Sequence, residues 1–250
     1  MKKLLIVQIL KSLSSFSFII FALASEAIDS EREELIREAL NLPSQGIIVK
    51  EITDIGVSGI LEVQLADGPV VYVTEDGRHF FLGDMYSISK SGLRNVSELK
   101  REKNRVEILS QVDLDDMIIF PPTKNLRAAI TVFTDITCFY CQKLHREVPA
   151  LNARGVEVRY LAYPRAGIGS DGYKKLASAW CAKDRLETLT KLKAGESLPT
   201  NVCPGNPVAS QFGLGKELDV RGTPAIITED GKMIPGYRSA EDLISNLDLK

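Results

Sequence analysis

The sequence predicts a small α+β unit followed by a helical linker and a larger α/β domain. Three observations lead to this fold class. Strand-like runs separated by two Asp-Gly turns fill the first part, a densely charged stretch follows it, and a succession of buried strand, helix and strand begins near residue 128. We therefore place the α+β unit at residues 25–90, the linker at 91–122 and the α/β domain at 123–250.

The composition excludes several classes of protein. The 250 residues include 31 Lys and Arg against 33 Asp and Glu, and 44% of them are hydrophobic, which is typical of a globular chain. Phosphate contact requires clustered Lys and Arg, so we expect no nucleic-acid partner. Four cysteines are too few for a disulfide-rich scaffold of this length. Two of them are spaced C-x-x-C.

The first 24 residues have the layout of a secretory signal peptide. Two lysines precede an apolar segment, and Ala22 to Ala24 form an A-x-A cleavage site. An uncleaved anchor is the alternative, but Lys11 and the serines after it shorten the apolar run below the roughly 18 residues of a membrane span. Cleavage removes three basic residues, which leaves 28 against 33 acidic ones. We expect a periplasmic protein whose cysteines can pair.

The N-terminal unit is predicted to contain one helix and one small sheet. Helical spacing between residues 31 and 42 gives the helix an apolar stripe, and the Asp-Gly turns indicate a three-stranded antiparallel meander. A unit of this size is marginal alone, so we expect it to pair with a second copy. The stripe is Leu35, Ile36, Leu40 and Leu42, and the strands are 60–65, 70–74 and 79–82.

The segment from Asn95 to Asp116 is dominated by charged residues. Such a run is typical of a solvated helix face, and here it is also suited to be a spacer between two domains. Pro121 and Pro122 end it, because proline does not continue a helix. We predict a helical linker.

The C-terminal part has the element order of an α/β domain. A buried strand, a helix and a second strand form a βαβ unit, and helical segments precede a closing hairpin and a last helix capped by Ser239. This order is typical of a thioredoxin-like layer with a helical insertion. The strands are predicted at 129–133, 156–163, 225–228 and 232–234, and the helices at 138–152, within 171–194, from the Asn206-Pro207 cap to 218, and at 239–247.

Cys138 and Cys141 form a C-x-x-C pair where a strand gives way to a helix. The helix N-terminus favours a thiolate, and the spacing allows the two sulfurs to close as a disulfide. A zinc half-site or an inert pair is the alternative, but zinc requires a second ligand pair at matched spacing. The pattern favours redox chemistry, which uses only sulfur atoms, so we expect neither a cofactor nor a metal.

Further candidate residues surround this pair in the sequence. Cys181 and Cys203 bracket the helical insertion, which favours a structural disulfide in an exported protein. Thr223-Pro224 precedes the closing hairpin, where a cis-proline beside the active site is expected. Asp135 is either a proton acceptor or a polar strand end, and both interpretations stay open.

Four other side chains are assigned to packing. His145 lies two turns along the helix from Cys138, and we interpret it as a packing or surface residue rather than a catalytic base. The large aromatic residues in the predicted strands and helices are expected in the core. They are Phe133, Tyr160 and Trp180.

Several separated motifs together resemble the periplasmic disulfide isomerases of the DsbC family. The likeness covers nearly the whole chain after the signal peptide. In the C-terminal part it consists of residues 133–138, Cys141, 143–145, 159–162, 180–184 and 222–225, and in the N-terminal part of Asp76-Gly77, His79, Gly83 and Met85-Tyr86.

The resemblance implies a V-shaped homodimer. Its cystatin-like N-terminal sheets pair, a helix links each sheet to a thioredoxin-like catalytic domain, and the two active sites face a shared cleft. It further implies that Cys138 attacks, that Cys141 resolves, and that Thr223-Pro224 is the substrate-binding cis-proline segment. Cys181 with Cys203 is implied as the second disulfide, and a membrane thiol reductase of the DsbD type as the electron donor.

The chain departs from the family between its active cysteines. The family's usual dipeptide is Gly-Tyr, and here it is Phe139-Tyr140. The added aromatic ring leaves the cysteine spacing intact but is expected to alter substrate docking and the relative stability of dithiol and disulfide. We therefore treat Asp135, Phe139 and Tyr140 as candidate modulators.

These features predict an isomerase or reductase that rearranges incorrect disulfides in misoxidised exported proteins. One alternative is a reductase of oxidised single cysteines, as in the sister family DsbG. Another is a dimeric holdase chaperone whose cysteines are structural. Activity that survives replacement of both C-x-x-C cysteines would favour the holdase.

Overall fold

The computed structural model describes residues 29–66, 68–90 and 92–249. The predicted signal peptide, 1–24, lies outside these residues. None of the helices in the described ranges is both long enough and apolar enough to cross a bilayer. The described chain divides between Gly83 and Asp84 into two compact units, each with its own hydrophobic core.

The N-terminal unit contains one helix and an antiparallel sheet. Helix α1 begins after Asp29, whose carboxylate accepts the Glu31 N–H and caps the helix. In the described part of this unit the sheet has four strands in the order β1-β2-β3-β4. The sequence predicted the last three of these strands and missed β1. Two register shifts interrupt β1, and its sequence therefore shows no clean alternation. The elements are α1 (Ser30–Leu40), β1 (Val49–Val57), β2 (Ile60–Leu65), β3 (Val70–Thr74) and β4 (Phe80–Leu82).

The core of this unit forms between α1 and one face of the sheet. Ile36 and Leu40 are buried there, as the helical spacing predicts. The other two residues of the predicted stripe, Leu35 and Leu42, are 44% and 38% exposed. Helix α1 ends at Leu40, and Leu42 instead pairs with Ile47 in an isolated bridge.

The C-terminal unit opens with a hairpin, β5 (Tyr86–Ser89) and β6 (Gly92–Asn95), followed by helix α2 (Val96–Ser110). Asn95 caps α2 through a hydrogen bond from the Glu98 N–H. One side of α2 is solvated, but Ile108 and Leu109 pack against the core of the C-terminal unit. The last turns of the predicted linker therefore pack within this unit.

A mixed sheet forms the centre of the C-terminal unit. Among the described residues its five strands have the order β11-β10-β8-β9-β7, with β8 and β9 parallel and the other pairs antiparallel. Strand β7 was not predicted, because it is three residues long and stands directly before Pro121. Its edge position tolerates the following prolines. The strands are β7 (Ile118–Phe120), β8 (Ala128–Thr134), β9 (Val156–Ala162), β10 (Ala225–Thr228) and β11 (Met233–Pro235).

Helices cover this sheet and complete the core. Phe133, Tyr160 and Trp180 are buried, which confirms that they are core residues. The predicted helical stretch 171–194 is two helices, and α6 begins at Val208, one residue later than the predicted Asn206 cap implies. The helices are α3 (Phe139–Ala153), α4 (Asp171–Trp180), α5 (Arg185–Lys193), α6 (Val208–Glu217) and α7 (Ala240–Asn246).

Candidate active site

Cys138 lies at the junction between strand β8 and helix α3. It occupies the N-cap position of α3 with an extended backbone, so its sulfur lies at the positive end of the helix dipole. Its Sγ atom lies 3.2 Å from the carbonyl oxygen of Thr223. The Thr223-Pro224 peptide bond is cis, at the position where the sequence predicts it. The fold thus brings together the C-x-x-C pair and the Thr-Pro segment, which are about eighty residues apart in the chain.

The two thiols of the pair have opposite electrostatic environments. Both are free thiols. The interaction with the Cys141 thiol, together with Thr223 and the charge of Arg165, lowers the pKa of Cys138 to about 5 against the effect of burial. Burial raises the pKa of Cys141, and the bond that it donates to Cys138 adds to this rise. At neutral pH the pair therefore holds one thiolate, on Cys138, and one thiol, on Cys141.

Asp135 anchors the loop that leads from β8 to Cys138. Its carboxylate is almost fully buried and accepts hydrogen bonds from the backbone N–H and hydroxyl of Thr137, each at 2.8 Å. It also accepts from the backbone N–H of Arg165 at 2.9 Å and from Arg165 Nε at 3.3 Å. Burial opposes ionisation, but these bonds outweigh it and lower the pKa of Asp135. The geometry favours an ionised anchor over a proton acceptor.

A buried polar group lies behind the cysteines, on the side of helix α5. Lys193 Nζ donates to Thr134 Oγ1 at 2.6 Å and to the Asp135 carbonyl oxygen at 2.9 Å. Burial lowers the pKa of Lys193 to about 8, although the charges of Cys141 and Asp135 oppose this change. An amine with this pKa exchanges protons readily near neutral pH.

His145 is a packing residue, in agreement with its interpretation from the sequence. Its Nδ1 atom lies 3.1 Å from the Tyr160 hydroxyl, and its Nε2 atom lies 3.1 Å from Thr190 Oγ1. Burial lowers the pKa of His145 to about 4, so the imidazole is neutral at physiological pH. It connects α3, β9 and α5 behind the active site.

Cys181 and Cys203 form a disulfide in the structure, with Cα atoms 5.7 Å apart. Cys181 follows the last residue of α4, and Cys203 lies in the segment before α6. The bond therefore closes the loop that contains α5, the helix that carries Lys193.

Phe139 and Tyr140 form an exposed aromatic pair beside the cysteines. Their side chains are 63% and 56% exposed, and the rings meet edge to face with centroids 5.5 Å apart. Large apolar surface left in solvent is a frequent mark of a binding surface. The dipeptide that departs from the family pattern thus borders the reactive sulfur.

Sequence reasoning missed three residues that shape this site. Arg165 and Thr134 gave no local signal, because their roles depend on contacts across the sheet. Lys193 did give one: it follows Leu189 by four positions and so belongs to the buried face of its helix. A lysine on an apolar stripe indicates a buried charge with a specific partner.

Comparisons with known proteins agree with this geometry. Residues 22–98 match the N-terminal domain family of disulfide bond isomerase proteins, and residues 115–249 match the thioredoxin-like domain family. The thiol:disulfide interchange protein DsbC of Escherichia coli K12 is 37% identical over 209 residues, which cover 83% of this chain and 84% of that protein. DsbC of Haemophilus influenzae is 38% identical over 192 residues, covering 77% and 80%.

A solved structure supports the fold of the C-terminal unit. The catalytic domain of ScsC from Proteus mirabilis aligns with a TM-score of 0.50 at 15% identity and covers 60% of this chain and 96% of that domain. At this identity the likeness shows the fold alone.

A free dithiol at a helix N-terminus of a thioredoxin-like layer defines a class of enzyme, the thiol-disulfide oxidoreductases. Within that class, the chain belongs to the DsbC family of thiol:disulfide interchange proteins, and its activity is thiol-disulfide exchange.

Proposed function

We propose that this chain is a periplasmic disulfide isomerase in which Cys138 is the attacking thiol and Cys141 the resolving thiol. The observation that carries the proposal is the asymmetry of the pair. Cys138 lies at the helix N-terminus with a lowered pKa, whereas Cys141 is fully buried with a raised pKa. A nucleophile must be a thiolate at neutral pH, and a resolving thiol must stay protonated until it is needed.

The exchange follows from this asymmetry. The Cys138 thiolate attacks one sulfur of a wrong client disulfide, forms a mixed disulfide and releases the other client sulfur as a thiolate. In isomerisation a different client thiolate then attacks the mixed disulfide and frees Cys138. In reduction Cys141 attacks Cys138 instead, which releases the client and leaves the enzyme oxidised. Thr223-Pro224, in contact with Cys138, is suited to hold the client backbone during either step.

The proposal includes a signal peptide removed after residue 24 and a homodimer formed through the N-terminal unit. Strand β4 supports the dimer: it is the edge of its sheet, and its apolar side chains are exposed. An unpaired apolar edge is stabilised by pairing with a second copy. A membrane thiol reductase of the DsbD type is proposed to return oxidised Cys138 and Cys141 to the dithiol form.

The test is reactivation of a scrambled multi-disulfide protein by the purified dimer. We expect wild type to restore client activity and Cys138→Ser to lose that ability, since serine is no nucleophile toward a disulfide at neutral pH. Cys141→Ser is the matched control, because it removes the resolving sulfur but keeps the attacking one and should retain part of the isomerisation. Equal reactivation by Cys138→Ser and wild type would refute the proposal.

A further inference from the structure

Lys193 is a buried ionisable side chain with no part in the exchange steps described above. Its side chain is only 2% exposed, so a permanent charge at that position is costly. Its two acceptors, Thr134 Oγ1 and the Asp135 carbonyl oxygen, accept two N–H groups. A neutral amine has two such hydrogens and one lone pair. A third N–H has no acceptor among these two contacts, so the geometry fits an amine that loses a proton readily, and its pKa of about 8 leaves a fraction of the molecules with a neutral amine at neutral pH.

Lys193 and Cys141 both interact with the backbone of Asp135. The carbonyl of Asp135 accepts from Lys193, and the backbone N–H of Asp135 contributes to lowering the pKa of Cys141 against the effect of burial. The charge of Lys193 lowers the pKa of Cys141, and a Cys141 thiolate raises the pKa of Lys193 in return. Lys193 interacts electrostatically with ionisable groups from three parts of the fold. They are Cys138, Cys141 and His145 of the α3 region, Asp135 after β8 and Arg165 after β9.

Resolution of a mixed disulfide creates the need for a base at this point. Cys141 must lose its proton before it attacks, yet its side chain is fully buried and out of reach of bulk water. Asp135 is not suited to this task, because its carboxylate already accepts four hydrogen bonds. His145 is engaged through both ring nitrogens.

We propose that Lys193 accepts the proton of Cys141 when the mixed disulfide is resolved and that the resulting ammonium stabilises the Cys141 thiolate until it attacks. The inference rests on the roles proposed above for Cys138 and Cys141. The S–H proton moves to Nζ, a Cys138–Cys141 bond forms, and the mixed disulfide breaks to release the client thiolate. The two enzyme thiols are oxidised and the client disulfide is reduced. When the enzyme is reduced again, Nζ returns the proton to Cys141.

Single-turnover reaction of the reduced enzyme with dithiobis(nitrobenzoate) separates the two steps. Attack by Cys138 releases one thionitrobenzoate and leaves the other bound as a mixed disulfide. Attack by Cys141 then releases the second thionitrobenzoate. Two kinetic phases of equal absorbance amplitude therefore report the first and second sulfur separately, over a range of pH.

Lys193→Met keeps the approximate length of the side chain but removes the amine. We expect it to lower the rate of the second phase about tenfold or more at pH 7, as for loss of a general base. In this variant the rate of the second phase should increase with pH, because without the amine Cys141 loses its proton only as the pH approaches its raised pKa. The first phase should stay within about twofold. Lys191→Met is the matched control, because Lys191 lies on the exposed face of the same helix and pairs with Glu187.

Two further variants keep the test decisive. Lys193→Arg retains a positive charge but does not take up a proton at neutral pH, so a slow second phase supports proton transfer and a wild-type second phase refutes it. If Lys193→Met does not fold, Lys193→Gln replaces it, because its amide still donates to both acceptors and does not act as a base.

An unchanged second phase with an unchanged pH profile in the folded Lys193→Met or Lys193→Gln enzyme would overturn the inference. Failure of the proposed cysteine roles has a different signature: a first phase that persists in Cys138→Ser, or a second phase that persists in Cys141→Ala.

Discussion

At the scale of single residues, the reactivity of this site depends on one shared hydrogen bond. Cys141 donates to Cys138, so the bond stabilises the thiolate on Cys138 and the thiol on Cys141. The sequence predicted which residues form this pair, because the C-x-x-C spacing and the helix start are local features. The Thr223 and Arg165 contributions could not be predicted, since strands and loops distant in the chain bring them to the sulfur.

Loss of the Cys141 donor should therefore weaken Cys138 as a nucleophile. In reduced wild type we expect the rate of alkylation of Cys138 by iodoacetamide to be half-maximal near pH 5 and flat above about pH 7, because the thiolate is present above its pKa. In Cys141→Ala the midpoint should move upward, toward the ordinary thiol value of 9.0. Cys141→Ser, which keeps a donor, should give an intermediate midpoint. An identical midpoint in wild type and Cys141→Ala would contradict this account.

Phe139 provides a second test at this scale. Its ring is exposed beside Cys138, so we expect it to contact apolar client segments. Phe139→Gly, which restores the dipeptide usual in the family, should raise KM for a peptide disulfide with apolar flanks. It should leave KM for glutathione disulfide, which has no apolar flank, unchanged. Equal changes in both KM values would instead indicate a change in the cysteine pair itself.

At the scale of elements, helix α2 is fixed to the C-terminal unit by a close backbone contact. Arg105 is buried, pairs with Glu98 at 2.7 Å and donates to the Gly231 carbonyl oxygen at 3.1 Å. Gly231 itself has a φ of +84°, and a Cβ atom there would collide with the Glu102 carbonyl oxygen. Only glycine fits between the β10-β11 turn and α2.

A pair of glycine substitutions tests this contact. Gly236 also has a positive φ, of +77°, but open space around its Cα atom. We expect Gly236→Ala to cost about 1 to 2 kcal/mol in the free energy of unfolding, from left-handed backbone alone. Gly231→Ala should cost more, because the new methyl group also collides with α2. Urea unfolding of both variants measures the difference, and equal losses would show that α2 does not pack against the turn.

The contribution of the disulfide between Cys181 and Cys203 to stability can also be tested. Its loop of 22 residues corresponds to about 3 kcal/mol of stabilisation in the chain-entropy treatment. We expect the double variant with alanine at both positions to lose about that much in the free energy of unfolding. Alkylation of Cys138 should be unaffected, because the groups that lower its pKa, Cys141, Thr223 and Arg165, lie outside the bridged loop. Unchanged stability would show that the bond does not constrain the unfolded chain.

The sequence predicted most elements because their patterns are local. The βαβ order, the Asp-Gly turns and the Ser239 cap all signal structure within a few residues. Strands β1, β5, β6 and β7 were not predicted. Strand β1 has an irregular register, and the other three have only three or four residues each. The burial of Lys193 could have been predicted from its spacing to Leu189, but its acceptors could not, because they come from β8 and the residue after it. Polar contacts between distant segments are what local patterns do not encode.

At the scale of the whole molecule, the proposed isomerase is a dimer whose active-site dithiol is kept reduced. Exposed apolar side chains on strand β4 lead us to expect twice the chain mass for the mature protein in solution. Leu82, 63% exposed, is suited to a test: Leu82→Lys should shift the mass toward that of a single chain, and Lys100→Ala should not. Light scattering gives the mass directly, and a wild-type mass of one chain would contradict the dimer.

The most direct test of the central claim is capture of clients on a defined sulfur. Cys141→Ala removes the resolving thiol, so clients attacked by Cys138 should remain bound as mixed disulfides in cells that produce this variant. Peptide mass spectrometry should find the client cysteines joined to Cys138, and the clients should be exported proteins with several disulfides. Absence of Cys138 adducts, or the same adducts when Cys138 is also replaced by serine, would contradict the account.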